Sequence, residues 1–210
     1  MELVVKRPLG LFAPAQWFHA RDTNALLGQQ VRLRAGGTFS YDPATDGHLS
    51  SGGHRHIVLV AGGIGISPLR SVALTIRHWL RSTGSHAKVT VSVVYAASTP
   101  AELVFAHDFE QMREEFAGRV EVVLAVDEER ADSWPWAETW DPVTVEQGQP
   151  HTQPMVGRVN EEILRQAMGQ RPVDETLVLV CGPPPMTDNV VDMCTAIGLP
   201  TSSVLFEKWW

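Results

Sequence analysis

Ala61-Gly62-Gly63-Ile64-Gly65-Ile66-Ser67-Pro68 is the stretch whose reading decides the fold. It joins an apolar run at 57–61 to a helical period in which Leu69, Val72, Ala73, Ile76 and Leu80 share one face. Glycines at such a junction permit a tight turn and let backbone N–H groups approach an anion closely. Ser67 is a good N-cap, and Pro68 suits the first helical position. The helix N-terminus then offers N–H groups and the positive end of its dipole to a diphosphate. A glycine turn alone serves either nucleotide binding or a sharp bend, and the strand–loop–helix setting favours the nucleotide. The common dinucleotide fingerprint is not followed, because Pro68 stands where its third glycine would be. Tyr95-Ala96-Ala97-Ser98 ends the next strand without the Asp or Glu that usually holds the ribose.

Outward from this loop the chain alternates strand and helix. Apolar runs at 57–61, 89–95, 120–126, 177–181 and 204–206 predict five strands. The first and fourth are continuous rather than alternating, as in strands buried on both faces. Helical periods lie between them: Phe105, Phe109, Met112 and Phe116; Ile163, Leu164 and Ala167; Val190, Val191, Cys194 and Ile197. This order predicts an α/β fold, a five-stranded parallel sheet of Rossmann-like type with helices on both faces. Residues 128–156 lack a period and predict a long irregular loop. Before the sheet, residues 1–41 alternate short apolar segments with turns, and 42–55, rich in Gly, Ser and Asp, read as a linker to the domain at 56–210.

A second motif, Cys181-Gly182-Pro183-Pro184-Pro185-Met186, directly follows the fourth strand. Ligands of open parallel sheets sit beyond the carboxyl ends of the strands where the topology switches. The first and fourth strands are expected to be neighbours there, so both loops would face one crevice. As a residue alone, Cys181 reads as a small buried hydrophobe. The chain finishes Phe206-Glu207-Lys208-Trp209-Trp210, and a Trp pair covers something flat and apolar or plugs a groove.

Composition excludes other classes. Lys+Arg 17 against Asp+Glu 24 leaves a net charge of −7, which opposes nucleic-acid and anionic-membrane partners. Two cysteines without Cys/His clustering exclude a disulfide framework and a zinc site, and the histidines read as surface or satisfied core groups. No apolar run is long enough to span a bilayer.

Taken together, Gly-Gly-Ile-Gly-Ile-Ser-Pro after the first strand and Cys-Gly-Pro-Pro-Pro-Met after the fourth resemble the pyridine-nucleotide domain of the ferredoxin–NADP reductase superfamily. Arg34-Ala35-Gly36-Gly37-Thr38-Phe39 resembles the last segment of that superfamily's flavin barrel. The resemblance implies that residues 1–41 are a remnant of an antiparallel β-barrel flavin domain and that 56–210 bind NAD(P). It implies hydride transfer from nicotinamide to a flavin, FAD in the full-length member, with an unknown final electron acceptor. Gly62, Gly63, Ile64, Gly65, Ile66 and Ser67 would cradle the diphosphate. Cys181 and Gly182 would lie beside the nicotinamide, with Pro183, Pro184 and Met186 shaping the pocket. Glu207 would sit near the flavin edge with Trp209 and Trp210 beside it. Cys181 and Glu207 are the catalytic candidates. The ending Phe206-Glu207-Lys208-Trp209-Trp210 is similar to that of a mitochondrial member, which implies a mitochondrial location.

The superfamily's Arg-x-Tyr/Phe-Ser flavin motif belongs before residue 2 and is not in this chain. A dinucleotide module without a competent flavin site, or a truncated isoform, is therefore the alternative reading. A Trp-rich partner interface is a third. NADH is expected over NADPH, because Ala97, Ser98 and Thr99 offer no cation at the second strand's end and Arg70 lies too near the diphosphate.

Overall fold

His56 to Gly62 is a strand in which every residue is buried, and Thr176 to Gly182 is another. Both are almost wholly aliphatic, and such strands are stable only between two covered faces. The computed structural model describes residues 23–30, 39–43, 55–84, 89–127 and 154–208. The chain divides into two compact units, Met1–Thr38 and Phe39–Trp210. In the first, Thr23–Leu26 forms a single helical turn. The expected barrel remnant lies largely outside the described residues, as do most of the linker at 42–55 and both terminal tryptophans.

The second unit carries the sheet. Its strands are β1 (His56–Gly62), β2 (Thr90–Ala97), β3 (Val120–Val126), β4 (Met155–Val156), β5 (Thr176–Gly182) and β6 (Val204–Lys208). All pair in parallel in the order β4-β3-β2-β1-β5-β6. The count is six, not the expected five. Met155 and Val156 extend the sheet from within the segment read as loop, where Ala125 and Val126 of β3 pair with them. A two-residue strand has no period to betray it, so only its partner reveals it. The chain runs outward from β1 to β4, then crosses back to lay β5 on the other side of β1. The reversal point therefore lies between β1 and β5, as the two motifs required.

Four helices cover the sheet: α1 (Ile66–Thr83), α2 (Ala106–Glu115), α3 (Glu161–Met168) and α4 (Pro184–Ile197). On one face Leu69, Ile76 and Leu80 of α1 and Phe109 and Met112 of α2 pack with Leu59, Val93, Tyr95 and Leu179. On the other, Ile163, Leu164 and Ala167 of α3 and Val190 and Cys194 of α4 pack with Val58, Val60, Val94 and Val180. Burial raises the Cys194 thiol to about 11, which makes it an inert packing group. Asn160 caps α3 by accepting a hydrogen bond from the Ile163 N–H (2.9 Å). Ion pairs from Arg70 to Asp108 and from Arg77 and Arg81 to Glu115 tie α1 to α2 at the surface.

At the amino end of the sheet His56 is wholly buried. Its Nε2–H donates to the Ala167 carbonyl (2.8 Å), so Nδ1 accepts from the Thr90 hydroxyl (2.8 Å). Burial, which outweighs every other influence, lowers its pKa to about 4. It is a satisfied core histidine far along β1 from the glycine loop.

Candidate functional site

The carboxyl ends of the strands line up in one row. Tyr95 of β2 is in register with Ala61 of β1, Ala61 with Cys181 of β5, and Cys181 with Glu207 of β6. The two residues expected to be catalytic are thus cross-strand neighbours, and registered residues of a parallel pair project to the same face.

From β1 the chain enters a 3₁₀ turn, Gly63–Gly65, and the Ile66 N–H closes it onto the Gly63 and Ile64 carbonyls. Helix α1 begins at Ile66, with Gly65 as N-cap and no side-chain cap. Ser67 is therefore not the cap expected from sequence, because the 3₁₀ turn winds the chain into helix two residues earlier. Pro68 stands in the first turn, where a missing N–H leaves no intrahelical bond unmade.

The glycines of this loop are required for two different reasons. Gly63 has φ +54° and open space around its absent side chain. Its backbone is thus left-handed and approachable, the condition for a phosphate cradle. Gly65 is required by backbone crowding instead, and Gly62 and Gly182 stand where an added side chain would press on close neighbours. A Cβ on Gly65 would collide with the Cys181 carbonyl oxygen and lie 2.8 Å from the Gly182 nitrogen. A Cβ on Gly62 would collide with the Met186 Sδ and lie 2.9 Å from the Pro183 Cδ. One on Gly182 would come within 3.2 Å of the Gly62 nitrogen, the Gly62 Cα and the Met186 Sδ. The two loops therefore pass each other backbone to backbone.

Their helices differ in what they offer an anion. Pro184 and Pro185 open α4 after Pro183, and none of the three has an N–H. The Thr187 N–H and hydroxyl turn back to the Pro183 and Gly182 carbonyls (3.0 and 3.3 Å). The first two positions of α4 therefore offer an anion no N–H group. At the start of α1, Gly63, Ile64 and Ser67 are partly exposed, whereas the Ile66 side chain is in the core and only its main chain is available. Cys181 is wholly buried, grouped with Ala61, Ile66 and Tyr95 in the core facing α1. Glu207 is half-buried. Next to it, Lys208 bonds Asp188 of α4 (2.5 Å) and lies over the Phe206 ring.

Two acidic groups at this end of the sheet were not legible in sequence. A 3₁₀ turn at Pro100–Glu102 returns the Glu102 carboxylate to the end of β2, where it accepts from the Ser98 N–H (3.4 Å). Asp127, after β3, donates its N–H to the Ala97 carbonyl (3.2 Å), and its carboxylate pairs with Arg158 (3.3 Å). An acidic residue two positions after a Pro that follows the strand is the signal that could have located Glu102. Arg70 is held by Asp108 (2.5 Å) and stacks on the Phe105 ring (4.5 Å). Among the described residues no group of His, Cys, Asp and Glu could hold a metal ion, and no helix is long and apolar enough to cross a membrane.

An open parallel sheet with a glycine turn and a second glycine-containing loop meeting at its reversal point defines an NAD-binding domain of the oxidoreductase type. The family described as "Oxidoreductase NAD-binding domain" matches residues 59–140. The chain is 33% identical over 214 residues to oxidoreductase NAD-binding domain-containing protein 1 of Danio rerio, covering 100% of this chain and 69% of the relative. To the protein of that name from Xenopus tropicalis it is 31% identical over 217 residues, covering 100% of this chain and 60% of the relative. The fold is shared with the CS-b5R domains of human Ncb5or in the NAD+ form, at a TM-score of 0.57, 16% identity, and 95% and 46% coverage. The chain belongs to the oxidoreductase NAD-binding domain-containing protein 1 family, and spans 60% and 69% of the length of these two curated relatives.

Proposed function

We propose that this chain is the nicotinamide-dinucleotide module of a flavin-dependent NADH oxidoreductase. The observation that carries the reading is the meeting of the two loops: Gly65 lies against the Cys181–Gly182 backbone, beside an approachable left-handed Gly63. The cradle fits a diphosphate at the main chain of Gly63, Ile64 and Ser67 and at the positive end of α1. Pro183, Pro184 and Met186 border the nicotinamide end beside Gly182, and Cys181 and Glu207 occupy the next-to-last row of the sheet. When bound, NADH supplies a hydride, and a flavin is its acceptor. The chain's own work is to orient the dinucleotide and exclude water from the reacting edge. Trp209 and Trp210 cover that edge in this reading. Residues 1–41 form the end of the flavin domain and 42–55 the linker, although Tyr41 already packs in the core that α1 and α2 cover.

Glu102 and Asp127 place carboxylates near the ends of β2 and β3, and repulsion of a 2′-phosphate favours NADH. The mitochondrion is the proposed location, checked by fractionating cells that express the tagged chain. Titration with NADH by calorimetry and an absorbance spectrum of the purified protein test the whole reading. Saturable NADH binding with flavin absorbance supports the reductase. Saturable binding by a colourless protein supports a dinucleotide module alone. Absence of NADH binding overturns both.

A further inference from the structure

Met186 is the side chain that joins the two loops on the face away from Cys181. Its Sδ occupies the space a Cβ on Gly62 would need and lies 3.2 Å from the Cβ position of Gly182. It is half-buried, with its apolar side against the cluster containing Val58, Val60 and Val180. Met112 and Met168 are buried in the core, and both cysteines are buried. Met193 is also half-buried but lies two turns further along α4, so among the described residues Met186 is the half-buried thioether placed against both Gly62 and Gly182. Met155, which is 45% exposed, lies in the edge strand β4, separated from β1 by β3 and β2, and is an internal control.

We propose that Met186 is an oxidation site, at which conversion to the sulfoxide by a peroxide uncouples the two loops and weakens dinucleotide binding. The proposal rests on reading those loops as the cradle. In the step, the Met186 sulfur loses two electrons and gains one oxygen atom from the peroxide O–O bond, and hydrogen peroxide is reduced to water. The new S=O group is polar and needs both room and hydrogen-bond donors. On the side of the two glycines there is no space for an added oxygen, since a Cβ on Gly62 would collide with the sulfur and one on Gly182 would lie 3.2 Å from it. The apolar cluster beneath offers it no partner. The side chain swings out to water, and the seam that holds Gly62 beside Gly182 loses its filler. Because Gly63 follows Gly62 directly, the displaced seam shifts the phosphate-approaching backbone. Methionine sulfoxide reduction reverses the change.

The test is graded hydrogen peroxide exposure of the whole chain, peptide mass spectrometry to locate the added oxygen, and NADH titration before and after. Wild type and Met155→Leu are expected to lose affinity by about tenfold or more as Met186 is oxidised, and to recover after treatment with methionine sulfoxide reductases. Met186→Leu is compared with its own untreated form and is expected to be insensitive to the same exposure. Full oxidation at Met186 with unchanged NADH affinity overturns the proposal, as does equal sensitivity of Met186→Leu. So does survival of the Met186 thioether at a dose that fully oxidises Met155. If untreated protein does not bind NADH, the cradle reading itself fails. If it binds and oxidation leaves binding intact, only this inference does.

Discussion

Gly65 lies so close to Cys181 that a side chain on the glycine would collide with the cysteine's carbonyl oxygen. The turn leading into α1 and the end of β5 are thereby packed as one piece of backbone. Cys181 is also in register with Ala61 on one side and Glu207 on the other. A small change at either loop is transmitted to the other because nothing compressible separates them.

Replacing Gly65 by Ala therefore forces main-chain movement. We expect a loss of stability of about 1–3 kcal/mol, of the size that overpacking produces, and weaker NADH binding because both loops shift. Denaturant unfolding and calorimetric titration measure the two effects. Unchanged stability in Gly65→Ala would show that the loops are not in contact.

Gly63→Val separates conformation from crowding, because space is open there while φ is +54°. A β-branched residue is poorly tolerated at positive φ, with strain of roughly 1–2 kcal/mol. The variant is expected to fold, and to bind NADH at least about tenfold more weakly, a loss of about 1.4 kcal/mol or more in binding. Wild-type affinity would remove the phosphate cradle from Gly63.

The choice of cofactor follows from charge. Glu102 and Asp127 stand near the ends of β2 and β3, while Arg158 is paired with Asp127 and Arg70 with Asp108. NADH is expected to bind more tightly than NADPH, and dissociation constants measured at equal ionic strength decide it. Tighter NADPH would mean that Arg158 leaves Asp127 for the 2′-phosphate.

Cys181→Ser places a more polar hydroxyl at a wholly buried position. In a protein with a complete flavin domain, stopped-flow reduction by NADH is expected to slow, with NADH affinity little changed. A misplacement of about 1 Å at the reacting atoms is enough to lower such a rate by about a hundredfold. Reduction at the wild-type rate would assign Cys181 to core packing alone.

His56 makes stability depend on pH in a window remote from the site. Its pKa is lowered from 6.5 to about 4 by burial. As pH falls below 6.5 the unfolded chain takes up a proton that the native imidazole refuses, so stability drops until about pH 4 and then levels. Between pH 7 and pH 5 the group's contribution is expected to fall by about 2 kcal/mol. Unfolding of wild type and His56→Gln at the two pH values measures it, and the same pH dependence in both would remove His56 as the cause.

The glycine turn, the Cys-Gly-Pro-Pro-Pro-Met loop and the periods of the four helices were legible in the chain because turn chemistry and amphipathic spacing are local properties. A residue's need for positive φ, or a helix's apolar stripe, is written within a few neighbours. The five long strands were legible for the same reason. What only tertiary structure decided depends on segments distant in sequence. The pairing of Met155 and Val156 with β3 leaves no periodic trace in two residues. The 3₁₀ turn displaced Ser67 from the cap, and another folded Glu102 back to β2, neither of which side-chain pattern encodes. The register that sets Cys181 against Glu207, and the crowding of Gly65 and Met186 between the loops, arise from interstrand hydrogen bonds and close packing. Those forces act through space, and the order of residues along the chain does not display them.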